Sequence, residues 1–265
     1  MQGKFVFLGT GSSAGVPMIG CECKVCKSTS ALNKRLRSAG LIQRGNTNLI
    51  IDLGPDLRTQ ALKYNIKHLD GALLTHAHAD HIAGIDDLRA YYFVDKKKIP
   101  CILSQETFDE IKLRYHYLLL PPGPEKSFSA QVDFRLFPSD FGDYELAGIP
   151  FQYFSYFQMG MKVMGFRFGN FAYVSDIRDY SQRVVDMLQG VDILVLSALK
   201  AAPTKMHFSI EEAIAFSKLT HAKMTYLTHI GHEIDHDATN AELPSNVRLS
   251  YDGMELPIEM RTDER

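Results

Sequence analysis

The run Thr75-His76-Ala77-His78-Ala79-Asp80-His81 constrains this chain more than any other stretch. Three imidazoles and a carboxylate fall within six consecutive residues. Neutral imidazole and carboxylate are the usual ligands of zinc and other catalytic divalent metals. Just upstream, Ala72-Leu73-Leu74 is an apolar run that reads as a buried strand. The array therefore sits where a strand ends and a loop begins, a common place for chemistry on a rigid scaffold.

The chain has 265 residues and 45% hydrophobic content, enough for one large core or two small ones. A formal net charge of −2 and a pI of about 6.5 argue against a nucleic-acid or membrane partner. No apolar run approaches the roughly 18–20 residues needed to span a bilayer. The opening Met1-Gln2-Gly3-Lys4-Phe5 runs straight into a strand-like segment without the layout of a signal peptide, so a cytoplasmic location is expected. Three of the four cysteines crowd into Cys21-Glu22-Cys23-Lys24-Val25-Cys26. They lie too close together for a disulfide framework, and in a cytoplasmic chain the spacing favours metal. Cys101, alone in an apolar stretch, reads as a small buried hydrophobe.

Short apolar runs alternate with helix-like stretches. The pattern predicts strands over 5–8, 49–52, 72–75, 101–104, 132–137, 151–154, 163–168, 172–175, 193–196, 225–227 and 248–251. It predicts helices over 57–64, 86–92, 106–115, 181–188 and 210–219, the last opened by a Ser209/Glu212 capping box. The class is α/β, with two sheets packed together and flanked by helices. Residues 119–129, with three prolines, read as an exposed connection.

Two more predicted strands end in ligand residues. Ala172-Tyr173-Val174-Ser175 runs into Asp176, and Met224-Thr225-Tyr226-Leu227-Thr228 runs into His229. With the first cluster they suggest one constellation at a sheet edge. A closed structural zinc site wants four ligands. His232 is the candidate fourth for Cys21, Cys23 and Cys26, with His236 a rival. Gly9-Thr10-Gly11 is not a dinucleotide loop, because a third glycine and a following helix are missing.

The His76-x-His78-x-Asp80-His81 signature resembles the metallo-β-lactamase superfamily. The segments 8–17, Cys21-x-Cys23-x-x-Cys26, 52–58 and 250–254 resemble PhnP-type phosphodiesterases more narrowly. The resemblance implies a four-layer αββα sandwich formed by one domain over 1–265, with a zinc-binding knob near 20–28. It implies one metal on His76 and His78 and another on Asp80, His81 and His229, with Asp176 bridging. It also implies that Cys21, Cys23, Cys26 and His232 hold a separate structural zinc, and that a homodimer forms. The active-site ions would be one or two divalent metals, Mn2+ or Zn2+. The family supplies a further histidine shortly before Gly165-Phe166-Arg167, where this chain has Gln158 and Met159. Gln158 is at best a substitute ligand, because an amide oxygen is a weak neutral donor. An asymmetric metal pair is therefore expected.

The implied activity is hydrolysis of a small phosphodiester, such as a cyclic ribosyl phosphate, by metal-held hydroxide. Asp80 would orient the nucleophile, and His207, just before a predicted helix, would protonate the leaving oxygen or neutralise phosphate charge. Two alternatives are an RNA-processing nuclease resembling tRNase Z and a non-enzymatic metal- or cofactor-handling protein resembling PqqB. The acidic pI argues against the first, and the intact His76–His81 array argues against the second.

Overall fold

The computed structural model describes residues 2–120 and 129–260. Most of the predicted connection over 119–129 lies outside the described residues. Two seven-stranded mixed sheets stack face to face with helices on both outer faces.

The first sheet contains β1 (Gln2–Gly9), β2 (Ala39–Arg44), β3 (Thr47–Ile51), β4 (Gly71–Leu73), β5 (Ile99–Leu103) and β6 (Val132–Leu136). The second contains β7 (Phe141–Leu146), β8 (Ile149–Gln158), β9 (Met161–Phe168), β10 (Phe171–Val174), β11 (Ile193–Ser197), β12 (Met224–Thr228) and β13 (Val247–Leu249). The chain then returns, and β14 (Glu255–Glu259) pairs antiparallel with β1, completing the first sheet in the order β14-β1-β2-β3-β4-β5-β6. The helices are α1 (Lys24–Lys27), α2 (Leu57–Lys63), α3 (Ala79–Ile82), α4 (Arg89–Asp95), α5 (Gln105–Arg114), α6 (Gln182–Leu188), α7 (Ile210–Thr220) and α8 (His236–Glu242). A 3-10 turn over Ile85–Leu88 takes the place of the first half of the helix predicted at 86–92.

Side-chain alternation builds the layers. Phe5 and Phe7 of β1 enter the inter-sheet core, while Val6 and Leu8 face the helices. In β3, Leu49 and Ile51 face inward and Ile50 faces outward. Such doubly buried strands read as unbroken apolar runs, which is why the sequence signalled them. On the far side, Val184, Val185 and Leu188 of α6 and Ala213 and Phe216 of α7 pack on the second sheet. Both halves of the predicted capping box at Ser209 and Glu212 are made. None of the helices is long and apolar enough to cross a membrane, among the described residues.

Strands β3, β4 and β5 run parallel, as do β10, β11 and β12. Residues just beyond the carboxyl ends of parallel strands are where α/β sheets bind ligands. Those ends carry Asp52, the array following Leu74, Asp176 and His229. The His229 strand end is tied to the first sheet's edge: Ile230 N donates to Thr10 O at 2.9 Å and Ser12 N donates to Ile230 O at 3.0 Å. Gly9 allows the chain to lie against the segment leading into β2, since a Cβ would stand 2.0 Å from Arg37 O, and Gly11 bridges both Arg37 and Ile230. Thus the Gly9-x-Gly11 segment serves to join sheets.

Candidate metal centre

The array straddles a loop and a short helix. Thr75 and His76 follow β4, His78 is the N-cap residue of α3, and Asp80 and His81 lie within that helix. The loop is held at two points. Met164 N of β9 donates to Thr75 O at 2.9 Å, and Arg114 Nη1 of α5 donates to Ala77 O at 2.7 Å.

His81, Asp80, Asp176 and His229 converge. His81 Nε2 lies 3.4 Å from Asp80 Oδ2 and 3.3 Å from Asp176 Oδ2. His229 Nε2 lies 3.3 Å from Asp80 Oδ2 and 3.3 Å from Asp176 Oδ1. The two rings are nearly parallel, 5.9 Å apart. His81 Nε2 is buried and makes no hydrogen bond. Two desolvated carboxylates facing two imidazole nitrogens match a divalent cation in charge and in ligand type. The residues therefore fit the metal that the array's chemistry calls for.

The other half is less complete. His76 groups with His81 and Asp176, whereas His78 joins no such group of three among the described residues. His78 Nδ1 instead lies 2.9 Å from His76 Nε2. Gln158, at the end of β8, turns its Nε2 towards Asp176 Oδ1 at 3.4 Å and towards His207 at 3.1 Å. Its Oε1 is buried without a partner. His207 stands 3.3 Å from Asp176 Oδ1 and stacks on His229 at 4.8 Å. The structure thus puts His207 within reach of Asp176 and His229 as a further imidazole beside that carboxylate.

Electrostatics follow from burial and from these contacts. Burial drives the Asp176 carboxyl up, yet His229, His81 and His76 outweigh it and hold it below the usual range. Asp80 is likewise pushed up by burial but held well down by His81 and His229. Burial opposes charge on His81, but Asp52, Asp176 and Asp80 prevail and raise it. Burial lowers His76 and His78. Burial also lowers His207 to about 4, against the pull of Asp176. The His207 ring is therefore neutral at pH 7.

Sequence reasoning missed Asp52. Its Oδ2 takes the His81 Nδ1 proton at 2.6 Å, and its carboxylate also accepts from Thr75 N at 2.8 Å and Thr75 Oγ1 at 2.9 Å. This carboxylate–histidine contact fixes the tautomer that leaves Nε2 free for a metal. Asp52, Asp176 and His229 share a further signature: each has positive φ, at 67°, 56° and 59°. Left-handed non-glycine residues cost about 1–3 kcal/mol each and cluster at functional sites. Ser175 Oγ donates to Asp176 Oδ2, and Tyr156 OH caps Ser175 O at 2.5 Å, pinning this strained turn.

The cysteine run forms its own cluster with His232. His232 Nδ1 lies 3.4 Å from Cys21 Sγ and 3.6 Å from Cys23 Sγ, and Cys26 completes the group. The Cys23 thiol is lowered to about 6, by the Cys26 backbone N–H first and by His232 next. That favours the thiolate a metal requires. The rival His236 is turned elsewhere, with Nδ1 3.0 Å from the buried Arg35 guanidinium. Cys101 is fully buried, and burial raises its thiol.

A model of the beta-lactamase superfamily domain matches residues 47–230. A solved structure described as a new diphosphatase from the PhnP family is 33% identical, with a TM-score of 0.90 over 98% of each chain. Zinc-bound PqqB from Methylobacterium extorquens shares the fold, with 16% identity and a TM-score of 0.76 over 96% of this chain and 99% of that one. Among curated proteins, an octanoyltransferase of Porphyromonas gingivalis is 29% identical over 262 residues, 96% of this chain and 51% of that protein. The chain thus spans about half the length of that relative.

Proposed function

The chain belongs to the metallo-β-lactamase superfamily and, within it, to the PhnP family, and on that premise we propose that it is a metal-dependent hydrolase of small phosphodiesters. The observation that carries this reading is the convergence of two buried imidazole nitrogens on two buried carboxylates at His81, His229, Asp80 and Asp176. These four residues would hold one divalent ion, Zn2+ or Mn2+, with His76, His78 and Asp176 as a weaker half-site. Cys21, Cys23, Cys26 and His232 would hold a structural zinc. When bound, the active-site metal would supply Lewis acidity to the phosphoryl oxygens and lower the pKa of a water.

The chain's own residues do the rest. Asp52 holds His81 in the ligating tautomer. Asp80 sits beside both His81 and His229 and orients the attacking group by accepting a hydrogen bond. His207 Nδ1 faces Asp176 and Nε2 lies 3.2 Å from the Gln158 amide nitrogen, and as imidazolium the ring would give a proton to the leaving oxygen. An anionic phosphate beside the ring raises its pKa from about 4 and so recruits the acid only when substrate is bound. Thr204 braces the loop, its Oγ1 accepting from His207 N at 2.9 Å and donating to His207 O at 2.8 Å. The N-terminus of α7 just beyond favours the same negative charge.

The diphosphatase relative supports chemistry at phosphorus, and a phosphoanhydride calls on the same in-line displacement. The test is turnover of bis(p-nitrophenyl) phosphate and of a diphosphate diester by zinc- or manganese-loaded protein. The expected result is diester turnover that vanishes with EDTA and in His78→Ala. Metal-loaded protein that hydrolyses only the anhydride would overturn the diester assignment. Protein inert towards both would overturn the phosphohydrolase reading.

A further inference from the structure

A cavity of about 250 Å3 opens between α5, the β8–β9 hairpin and the ligand loop. Ala77, which separates His76 from His78, forms part of its wall. From α5 come Glu106, Glu110 and Arg114, spaced four residues apart on one helix face. The hairpin contributes Phe157 and Lys162. Phe157 directly precedes Gln158 but faces the opposite way, as strand alternation demands. Gln158 is 2% exposed, and Phe157 is 42% exposed. A phenyl ring left this open beside a metal-ligand loop offers a stacking face.

The charges lining the cavity select against an anion. Arg114 is spoken for by Glu110 at 2.6 Å and by Ala77 O. Lys162 is held between Glu106 at 2.6 Å and Asp140 at 2.8 Å. An entering phosphate would meet no unpaired cation. The half-exposed carboxylates of Glu106 and Glu110, each with one oxygen on its cation, keep acceptor capacity for hydroxyl groups. Hydroxyl acceptors beside an aromatic face complement a neutral, hydroxyl-bearing group with a flat ring.

We propose that this cavity is the subsite for a nucleoside moiety of the substrate, with the base stacked on Phe157 and sugar hydroxyls donating to Glu106 and Glu110. The proposal rests on the phosphohydrolase reading only for the placement of the attached phosphate, on the Ala77 side towards the metal residues.

The test is calorimetric titration of zinc-loaded protein with uridine 5′-monophosphate and, separately, with inorganic phosphate. Wild type should bind the nucleotide at least about tenfold more tightly than phosphate, in line with one base–aromatic stack. Phe157→Ala and Glu106→Gln should each remove most of that preference and leave phosphate affinity within about twofold. Glu106 is chosen because Lys162 retains Asp140 when it is changed. Equal affinity for the two ligands in wild type, or a preference that survives both variants, would overturn the proposal. Turnover separates the two readings. Hydrolysis of p-nitrophenyl uridine 5′-phosphate and bis(p-nitrophenyl) phosphate lowered equally by Phe157→Ala would overturn the subsite and leave the hydrolase intact. A persisting binding preference without turnover of either diester would support the subsite and overturn the hydrolase.

Discussion

Replacing Asp52 with asparagine should cripple metal binding without unfolding the protein. The asparagine Oδ1 can still accept from Thr75 N, which donates to Asp52 Oδ1 at 2.8 Å. Its Nδ2 would then stand where Oδ2 now takes the His81 Nδ1 proton at 2.6 Å. Facing a donor, His81 Nδ1 must become an acceptor, and the ring proton moves to Nε2. That is the atom aimed at Asp80 and Asp176. Loss of such a partner costs about 10- to 100-fold in metal affinity, roughly 1.4–2.8 kcal/mol. Asp52→Ala is harsher, because it leaves His81 Nδ1, Thr75 N and Thr75 Oγ1 without their acceptor in a wholly buried place. Breaking a buried charged pair in this way costs roughly 3–5 kcal/mol. Competition with a chromophoric chelator reads the affinity, and thermal melting reads the stability. An Asp52→Asn protein that binds its active-site metal as tightly as wild type would refute the tautomer argument.

Two further expectations concern stability. A Cβ at Gly54 would lie 2.1 Å from Asp80 O, so Gly54→Ala should push α3 off its seat, destabilise by about 1–3 kcal/mol and lower the melting temperature by several degrees; an unchanged melting curve would contradict this packing. His207 titrates at about 4 in the folded chain and near 6.5 when exposed, so the unfolded chain takes up the proton first as pH falls. The contribution of this ring to the stability of the metal-free protein is therefore full above about pH 6.5 and fades towards pH 4, by up to roughly 3 kcal/mol. Urea unfolding across that window should show a steeper pH slope in wild type than in His207→Gln, and identical slopes would count against the buried neutral ring.

The array, Asp176 and His229 were legible because each follows an apolar run long enough to read as a strand and ends in a metal-ligand side chain. Asp52 follows such a run too, yet a lone aspartate before Leu-Gly-Pro looks like ordinary turn chemistry. Only the fold shows that it faces His81. The three unforeseen strands each break the apolar pattern for a physical reason. β2 carries Gly40, where a side chain would strike the Phe5 ring at 2.4 Å. β7 interleaves Asp143 and Glu145 with its apolar residues. β14 contains Pro257, tolerated because this strand is an edge of its sheet. α1 and α3 span four residues each, too few for a helical period to register. The fourth partner of the cysteine cluster was open between two histidines in sequence. The structure turns His232 to the thiols and His236 to Arg35.

Zinc stoichiometry tests the asymmetry of the centre most directly. Titration of wild type and Gln158→His, read by elemental analysis per chain and by chelator competition, distinguishes the sites. Wild type should show two tight equivalents, one at Cys21, Cys23, Cys26 and His232 and one at Asp80, His81, Asp176 and His229. A third should bind at least about tenfold more weakly, because His78 joins no group of three ligands among the described residues and Gln158, which meets Asp176, offers only a weak amide donor. Gln158→His should bring the third equivalent into the tight range. Three equally tight equivalents in wild type, unchanged by the substitution, would contradict the half-built site.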